Sequence, residues 1–463
     1  MEHLTRLDAS FIEAEDSDRH VSLAIGALAV LEGPLPDYDS FVEGLSERLQ
    51  NVPRFRQVLR RHPFDLTAPD WVDDTNLDLT HHVHRAALPQ PGDDEALFRL
   101  AADVMERRLD RDRPLWECWM IEGLPDGHWA VLTKIHHCIA DGIATTHLLE
   151  KLCDEHPSET FATDIRAAHE PAKGNASLPK FSLNPADWAG GAWQASVAAA
   201  SSVRQVWDGA VSIAGDLLQP AAPSSLTGPV STMRRYAATQ VPLEDVTAVC
   251  TAFDVTINDV ALAAITDSFR STLIRRGEQP KRNSVRTLVP VSVRSNNAVD
   301  EIDNRVSLML PYLPVDKAGP VAQLRAVHKR LNKAKGSGQR EAGSTFVSAA
   351  DVVPFAVAAW ALRGLTRLPQ RGVVTVTTNV PGPRQRLRMM DREVLQMLPI
   401  PPIALGLRTG IAIFSYADQL TFGVTADYDT APDIAEFTQG IAHAVTRLVA
   451  ASDRRNRRAA AIS

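Results

Sequence analysis

Residues 134–152 read KIHHCIADGIATTHLLEKL, in which the adjacent His136 and His137 are followed, after three small or apolar residues, by Asp141 and Gly142. An imidazole titrates near neutrality, so it can take the proton from a hydroxyl or amine before that atom attacks a carbonyl, and the step needs no cofactor. Residues 129–136 have the pattern of a strand and 143–152 that of a helix, which puts HHCIADG at a strand-to-helix corner. Such corners lie at the rim of a sheet and aim helix N-terminal amides at a ligand. Neighbouring residues on a strand face opposite ways, so one histidine is expected to act and the other to support it.

Plainer roles compete with this one. His136 and His137 could be hydrogen-bonded sheet-edge residues, Asp141 a helix N-cap and Gly142 a helix start, and for an isolated pair of histidines that reading would prevail. A metal site is the other alternative, since Cys138, His147, Cys153 and His156 lie nearby. Adjacent HHC residues cannot converge on one ion without distorting the backbone, and no CxxC or HxxxH pattern accompanies them, so no metal is expected. A second cluster, HHVH at 81–84, places His82 and His84 on one strand face but lacks a following Asp-Gly and a preceding apolar strand. Surface or interface residues are expected there, a donor- or acceptor-site role being the alternative.

The elements around the corner alternate. Strands are expected at 22–33, 115–124 and 129–136, the last two separated by a Pro-Asp-Gly turn at 125–127, and helices at 38–50 and 94–110. From about 170 to 230, prolines bracket an Ala-rich segment whose stripe from Val203 to Leu218 suits a crossover helix packed between two halves. Beyond it come a strand at 233–243, a helix at 255–277, strands at 285–295 and 305–314, helices at 319–335 and 344–366, and a strand at 372–383. A hairpin turning near Ala417-Asp418 and a C-terminal helix follow. The fold class is α/β (α+β), divided as 1–170, a linker at 171–230, and 231–463. At 463 residues the chain exceeds the roughly 250–300 residues at which single cores stop growing.

With 49 basic against 56 acidic side chains the net charge is −7, and with no RNA-binding aromatic signature nucleic acid is excluded as the expected partner. The basic stretches PRFRQVLRRH (53–62) and RRNRR (454–458) suit solvated faces, or contact with phosphates or an anionic membrane. Four scattered cysteines fit a reducing cytoplasm. The N-terminus lacks a secretory pattern, and the longest central uncharged stretch, 189–203, is too short to span a bilayer.

HHCIADG matches HHxxxDG, the signature of the acyltransferase superfamily that includes chloramphenicol acetyltransferase, carnitine acyltransferases and peptide-synthetase condensation domains. The chain resembles bacterial wax ester synthase/diacylglycerol acyltransferases from end to end, through LDASFIEAED (7–16), RPLWECWMIEGL (113–124), INDVALA (257–263), VPVSVR (289–294), DNRVSLMLPYLP (303–314) and TNVPGP (378–383). The resemblance implies two chloramphenicol-acetyltransferase-like halves in a pseudo-dimer with a tunnel between them. It makes His137 the base, and Asp141 a structural residue paired with an arginine, for which Arg294 is the best placed. Gly142 supports the corner, and Asn258 and Asp259 fall near the tunnel as substrate-binding positions, a helix N-cap being the alternative for Asn258. Pro114–Trp116 would pack under the motif strand, and Pro381-Gly382-Pro383 would form a rigid turn near the tunnel.

The activity implied is transfer of a long-chain acyl group from acyl-CoA to diacylglycerol or a fatty alcohol, without cofactor or metal. Peripheral contact with the inner membrane or lipid droplets follows from an insoluble product. A related transferase using another alcohol or a carrier-protein thioester, and a catalytically idle lipid-binding homologue, are the alternatives.

Overall fold

The computed structural model describes residues 2–50, 52–62, 68–139, 142–154, 161, 224–292, 306–336, 372–404 and 406–460. From the N-terminus run β1 (Glu2–His3), α1 (Arg6–Ser17), β2 (Ala24–Leu31), α2 (Tyr38–Leu49), β3 (Gln57–Arg60), β4 (Asp70–Asp73), β5 (Val83–Ala87), α3 (Asp94–Glu106), β6 (Trp116–Glu122), β7 (Trp129–His136) and α4 (Gly142–Lys151). Later come β8 (Arg234–Pro242), α5 (Leu243–Phe253), α6 (Ile257–Arg275), β9 (Thr287–Ser292), β10 (Val306–Met309), α7 (Pro320–Gly336) and β11 (Thr375–Pro381). The chain closes with β12 (Arg388–Met389), β13 (Arg392–Ile400), β14 (Thr409–Tyr416), β15 (Gln419–Asp427) and α8 (Ile434–Ala460). The crossover helix expected within 203–218 and the helix expected at 344–366 lie outside the described residues.

Two six-stranded sheets organise these elements, in the orders β12-β13-β2-β7-β6-β5 and β10-β9-β11-β14-β15-β8, beside a small sheet β1-β4-β3. In the first, β7 is buried along its whole length between β2 and β6, both antiparallel to it. A strand flanked on both edges and covered on both faces must be largely apolar, and WAVLTKI obeys this except at Thr133 and Lys134. That lysine is fully buried and donates from Nζ to the carbonyls of Val104 (2.8 Å) and Arg107 (2.6 Å), which end α3 without partners in the helix.

Residues 388–400 belong to the second half in sequence yet lie in the first sheet, where β13 pairs antiparallel with β2 from Val394↔Leu31 to Ile400↔Gly26. Where β13 crosses the second sheet, the Pro399 carbonyl lies over Gly423 of β15, at a spot where a Cβ would collide with it. The glycine admits the close backbone approach that ties the two sheets together. In the second half α6 is buried on almost every side from Asp259 to Phe269, as expected of a helix apolar all round at the centre of a core. No single helix among the described residues is long and apolar enough to cross a membrane.

Candidate active site

The corner after β7 is held by main-chain bonds from both flanking strands. The His136 amide donates to the carbonyl of Leu115, just before β6, and the His137 amide to that of Leu23, just before β2, each at 3.0 Å. The Ile139 amide then returns to the His136 carbonyl at 2.9 Å, turning the chain toward α4. Pro114–Trp116, expected under the motif strand, lies beside it, with Trp116 of β6 paired to Ile135 of β7. Its Leu115 carbonyl anchors His136, while Trp116 is buried, donates from Nε1 to the Phe55 carbonyl (2.8 Å) and stacks on Phe55 and His82.

α1 crosses the end of β7. Its first turn is capped by Thr5, whose hydroxyl oxygen accepts the Asp8 amide at 3.1 Å. One helical turn apart, Phe11 and Glu15 then meet His137 and His136 respectively. Because the helix meets the strand at its end, it reaches side chains that leave the sheet on opposite faces. Glu15 is 1% exposed, accepts the Leu23 amide on Oε1 (2.9 Å), pairs with Arg111, and carries Oε2 3.5 Å from His136 Nε2. Burial works to raise the Glu15 pKa, but His136, Arg111 and the Leu23 amide outweigh it and hold the carboxyl at about 2. His136 is fully buried and accepts the Cys138 amide on Nδ1 at 3.2 Å. Burial pulls its pKa down against the influence of Glu15, so the ring is neutral beside an ionised carboxylate.

His137 is half-buried and stacks on Phe11 with ring centroids 4.1 Å apart and planes 19° from parallel. One edge still reaches open space, yet the protein packed around the ring pushes its pKa down to about 4. Burial is the largest influence, opposed by a hydrogen bond to the residue's own carbonyl and reinforced by His136. Its Nδ1 is sealed from solvent. With its pKa drawn well below neutrality, the ring is an uncharged base at neutral pH.

The other expected site residues distribute unevenly. Gly142 opens α4. Asp141 and Arg294 lie outside the described residues. Asp259 sits on the first turn of α6, where Oδ2 accepts from the Thr256 amide and hydroxyl at 2.9 Å and meets His328 Nδ1 at 2.8 Å. Its carboxylate thus closes a capping box. Asn258 stands beside it, half-buried.

Among 81–84 only His81 is exposed. His82 is buried by the Trp116 stack, with Nδ1 2.9 Å from the Trp116 carbonyl, and His84 lies half-buried against Trp119 at 4.6 Å. His82 also precedes β5 and does not share a strand face with His84. The surface expectation for this cluster is therefore corrected, because aromatic stacking draws two of its three histidines inward.

No signal of chemistry in the sequence singled out Glu15, Phe11, Thr145 or Asn379. Thr145 on α4 and Asn379 on β11, elements that pack together, bury polar side-chain atoms without a hydrogen-bond partner among the described residues. A buried polar atom left unpaired costs about 1–3 kcal/mol, which a ligand's polar group would offset. Gly382, in the turn after β11, has no room for a Cβ against the Ser415 carbonyl and the Phe414 ring. Among the described residues, no three His, Cys, Asp or Glu groups stand close enough to hold a metal ion.

Two six-stranded sheets with helices packed on them, and a histidine pair at a strand-to-helix corner of one sheet, define a mixed α/β fold of the chloramphenicol-acetyltransferase-like class. The fold is similar to that of the wax ester synthase/diacylglycerol acyltransferase from Marinobacter aquaeolei VT8 (TM-score 0.69, 24% identity, 98% of this chain and 100% of that one). It is also similar to the first condensation domain of the CDA synthetase (TM-score 0.60, 14% identity, 97% of this chain and 96% of that one). Residues 4–261 match the wax ester synthase/diacylglycerol acyltransferase catalytic domain, and residues 302–448 the C-terminal domain of that family. A Mycobacterium tuberculosis protein named a probable diacylglycerol O-acyltransferase is 56% identical over 465 residues, covering 100% of this chain and 99% of its own. The chain belongs to the wax ester synthase/diacylglycerol acyltransferase family and is an O-acyltransferase.

Proposed function

We propose that the protein moves a long-chain acyl group from acyl-CoA to the free hydroxyl of diacylglycerol, giving triacylglycerol, and that it accepts fatty alcohols as well, giving wax esters. The observation that carries this reading is His137, an uncharged base stacked on Phe11 at the strand-to-helix corner, in a family of wax ester synthases and diacylglycerol acyltransferases. Diacylglycerol is placed first because the 56% identical relative bears that acceptor in its name.

In the reaction His137 Nε2 takes the acceptor hydroxyl proton while the oxygen attacks the thioester carbonyl, forming the new C–O bond and a tetrahedral oxyanion. Collapse re-forms the carbonyl and breaks the C–S bond. The departing thiolate takes the proton back from the imidazolium, leaving free CoA, the ester and a neutral base. Every proton is accounted for by one imidazole, so the route uses no metal or cofactor. The division is read as two halves, 1–170 and 231–463, joined by 171–230, with Asp141 and Arg294 supporting the corner and Asn258 near the acceptor path.

Insoluble substrates and product call for peripheral contact with the inner membrane or lipid droplets. The exposed arginines Arg454, Arg455, Arg457 and Arg458 at the end of α8 offer cationic groups for an anionic lipid face.

The test is CoA release from palmitoyl-CoA with dipalmitoylglycerol or hexadecanol as acceptor, comparing the wild type with His137→Ala. Acceptor-dependent release should fall by more than about a hundredfold in the variant, within the usual range for a lost general base. Folded wild-type protein that releases no CoA with either acceptor would remove the lipid assignment.

A further inference from the structure

His136 is fully buried, and its role has to be exerted through its surroundings. The carboxylate of Glu15 stands 3.5 Å from His136 Nε2, a nitrogen with no closer partner among the described residues, and is linked to His137 through the main chain of Leu23. Oε2 faces the His136 ring, while Oε1 accepts the Leu23 amide, and the carbonyl of the same Leu23 accepts the His137 amide. Arg111 closes the network from the other side, and Asp16 on the next residue of α1 stands 3.4 Å from that guanidinium.

Resting on the assignment of His137 as base, we propose that Glu15, held by Arg111, is a positioning residue that locks His136 as its neutral Nε2–H tautomer and fixes the main chain of His137 for proton transfer. The donor and acceptor inventory requires this tautomer. A carboxylate only accepts, so the nitrogen facing it must carry hydrogen, and the Cys138 amide on the other side requires a lone pair on Nδ1. A doubly protonated His136 would lose the Cys138 bond and set a cation beside the base. An Nδ1–H tautomer would turn two donors toward each other and leave an unfilled lone pair facing Glu15.

Glu15→Gln keeps the size of the side chain but has one acceptor oxygen, which cannot serve Leu23, Arg111 and His136 together. Its amide N–H groups would face the His136 N–H. The ring must therefore turn or change tautomer, and the corner at His137 loosens. Misplacement on this scale costs catalysis far more than binding, so kcat should drop about ten- to a hundredfold while KM for palmitoyl-CoA and for dipalmitoylglycerol stays within about twofold.

The deciding measurement is the long-range proton–nitrogen spectrum of protein labelled at the imidazole nitrogens, taken on the intact enzyme between about pH 6 and 9. In the wild type His136 should show one protonated nitrogen, Nε2, at every pH, and in Glu15→Gln a mixture of tautomers or Nδ1–H. A wild-type His136 that is Nδ1–H, or that titrates in this range, overturns the proposal whether or not any variant folds. So does a folded Glu15→Gln enzyme with kcat within about twofold of wild type. Were the wild type to transfer no acyl group, the assignment of His137 would fail, while the nitrogen spectrum would still decide the tautomer lock.

Discussion

Replacing Phe11 by alanine tests how the site sets the basicity of His137. In the wild type the ring is held at about 4, first by burial and then by His136, and Phe11 covers one of its faces at 4.1 Å. Truncation returns water to that face, so the pKa rises toward the ordinary imidazole value of about 6.5 without reaching it, because His136 stays in place. Relief of about half the shift amounts to roughly one to one and a half pKa units, or about 1.4–2 kcal/mol of differential interaction.

The rising limb of kcat/KM, near pH 4 in the wild type, should move to about 5–5.5 in Phe11→Ala. Relative to its own value at pH 8, activity at pH 5 would then fall from about 90% to roughly 25–50%. Stability moves with the opposite sense. A folded pKa below the unfolded one means that His137 contributes full stability above about pH 6.5, and that this is lost as pH falls toward 4. Phe11→Ala narrows that window and softens the acid loss, while half-buried packing worth about 1–2 kcal/mol disappears at all pH values. CoA quantified by chromatography across about pH 4 to 9 at constant ionic strength reads the limb directly, and denaturant midpoints at pH 5 and 8 read the linkage. A wild-type limb near 6.5, or the same limb in both proteins, would refute the account of how this base is tuned.

Two further substitutions address the frame around the corner. Lys134→Met should cost about 1–3 kcal/mol in denaturant unfolding by leaving the Val104 carbonyl without a side-chain donor and the Arg107 carbonyl with the Ser22 hydroxyl alone, with kcat of the folded enzyme little changed. A loss below about 0.5 kcal/mol would show that water replaces the ammonium there. Gly382→Ala drives a methyl group into the Ser415 carbonyl and the Phe414 ring and should cost about 1–3 kcal/mol. Because α4 packs against β11, transfer activity should fall with it, and an unchanged urea midpoint would contradict the close approach.

Much of the frame was legible in local pattern. The strands at β2, β6 and β7, the turn at Pro125–Gly127, the helices α2, α3 and α6 and the hairpin at Ala417-Asp418 all stand where periodicity and turn residues put them. The strand β13 escaped notice because its pairing partner β2 lies hundreds of residues earlier, and no local signal records a partner that distant, while β12, which pairs with β13, is only two residues long. His82 was misjudged for the same kind of reason, since the ring stacked on it, Trp116, comes from another element. α1 did carry a readable sign in the Thr5–Asp8 cap and in the helical spacing of Phe11 and Glu15, though nothing in that spacing says what the face meets.

The sequence by itself determined the reactive corner and the family, because a strand running into His136 and His137 and then a glycine-led helix is written in contiguous residues, as are the motifs that carry the resemblance. Only the tertiary structure decided which groups surround the two rings. Their charge and tautomer depend on contacts within a few ångströms of Phe11, Glu15 and Arg111, which chain folding, and no spacing along the chain, brings to the end of β7.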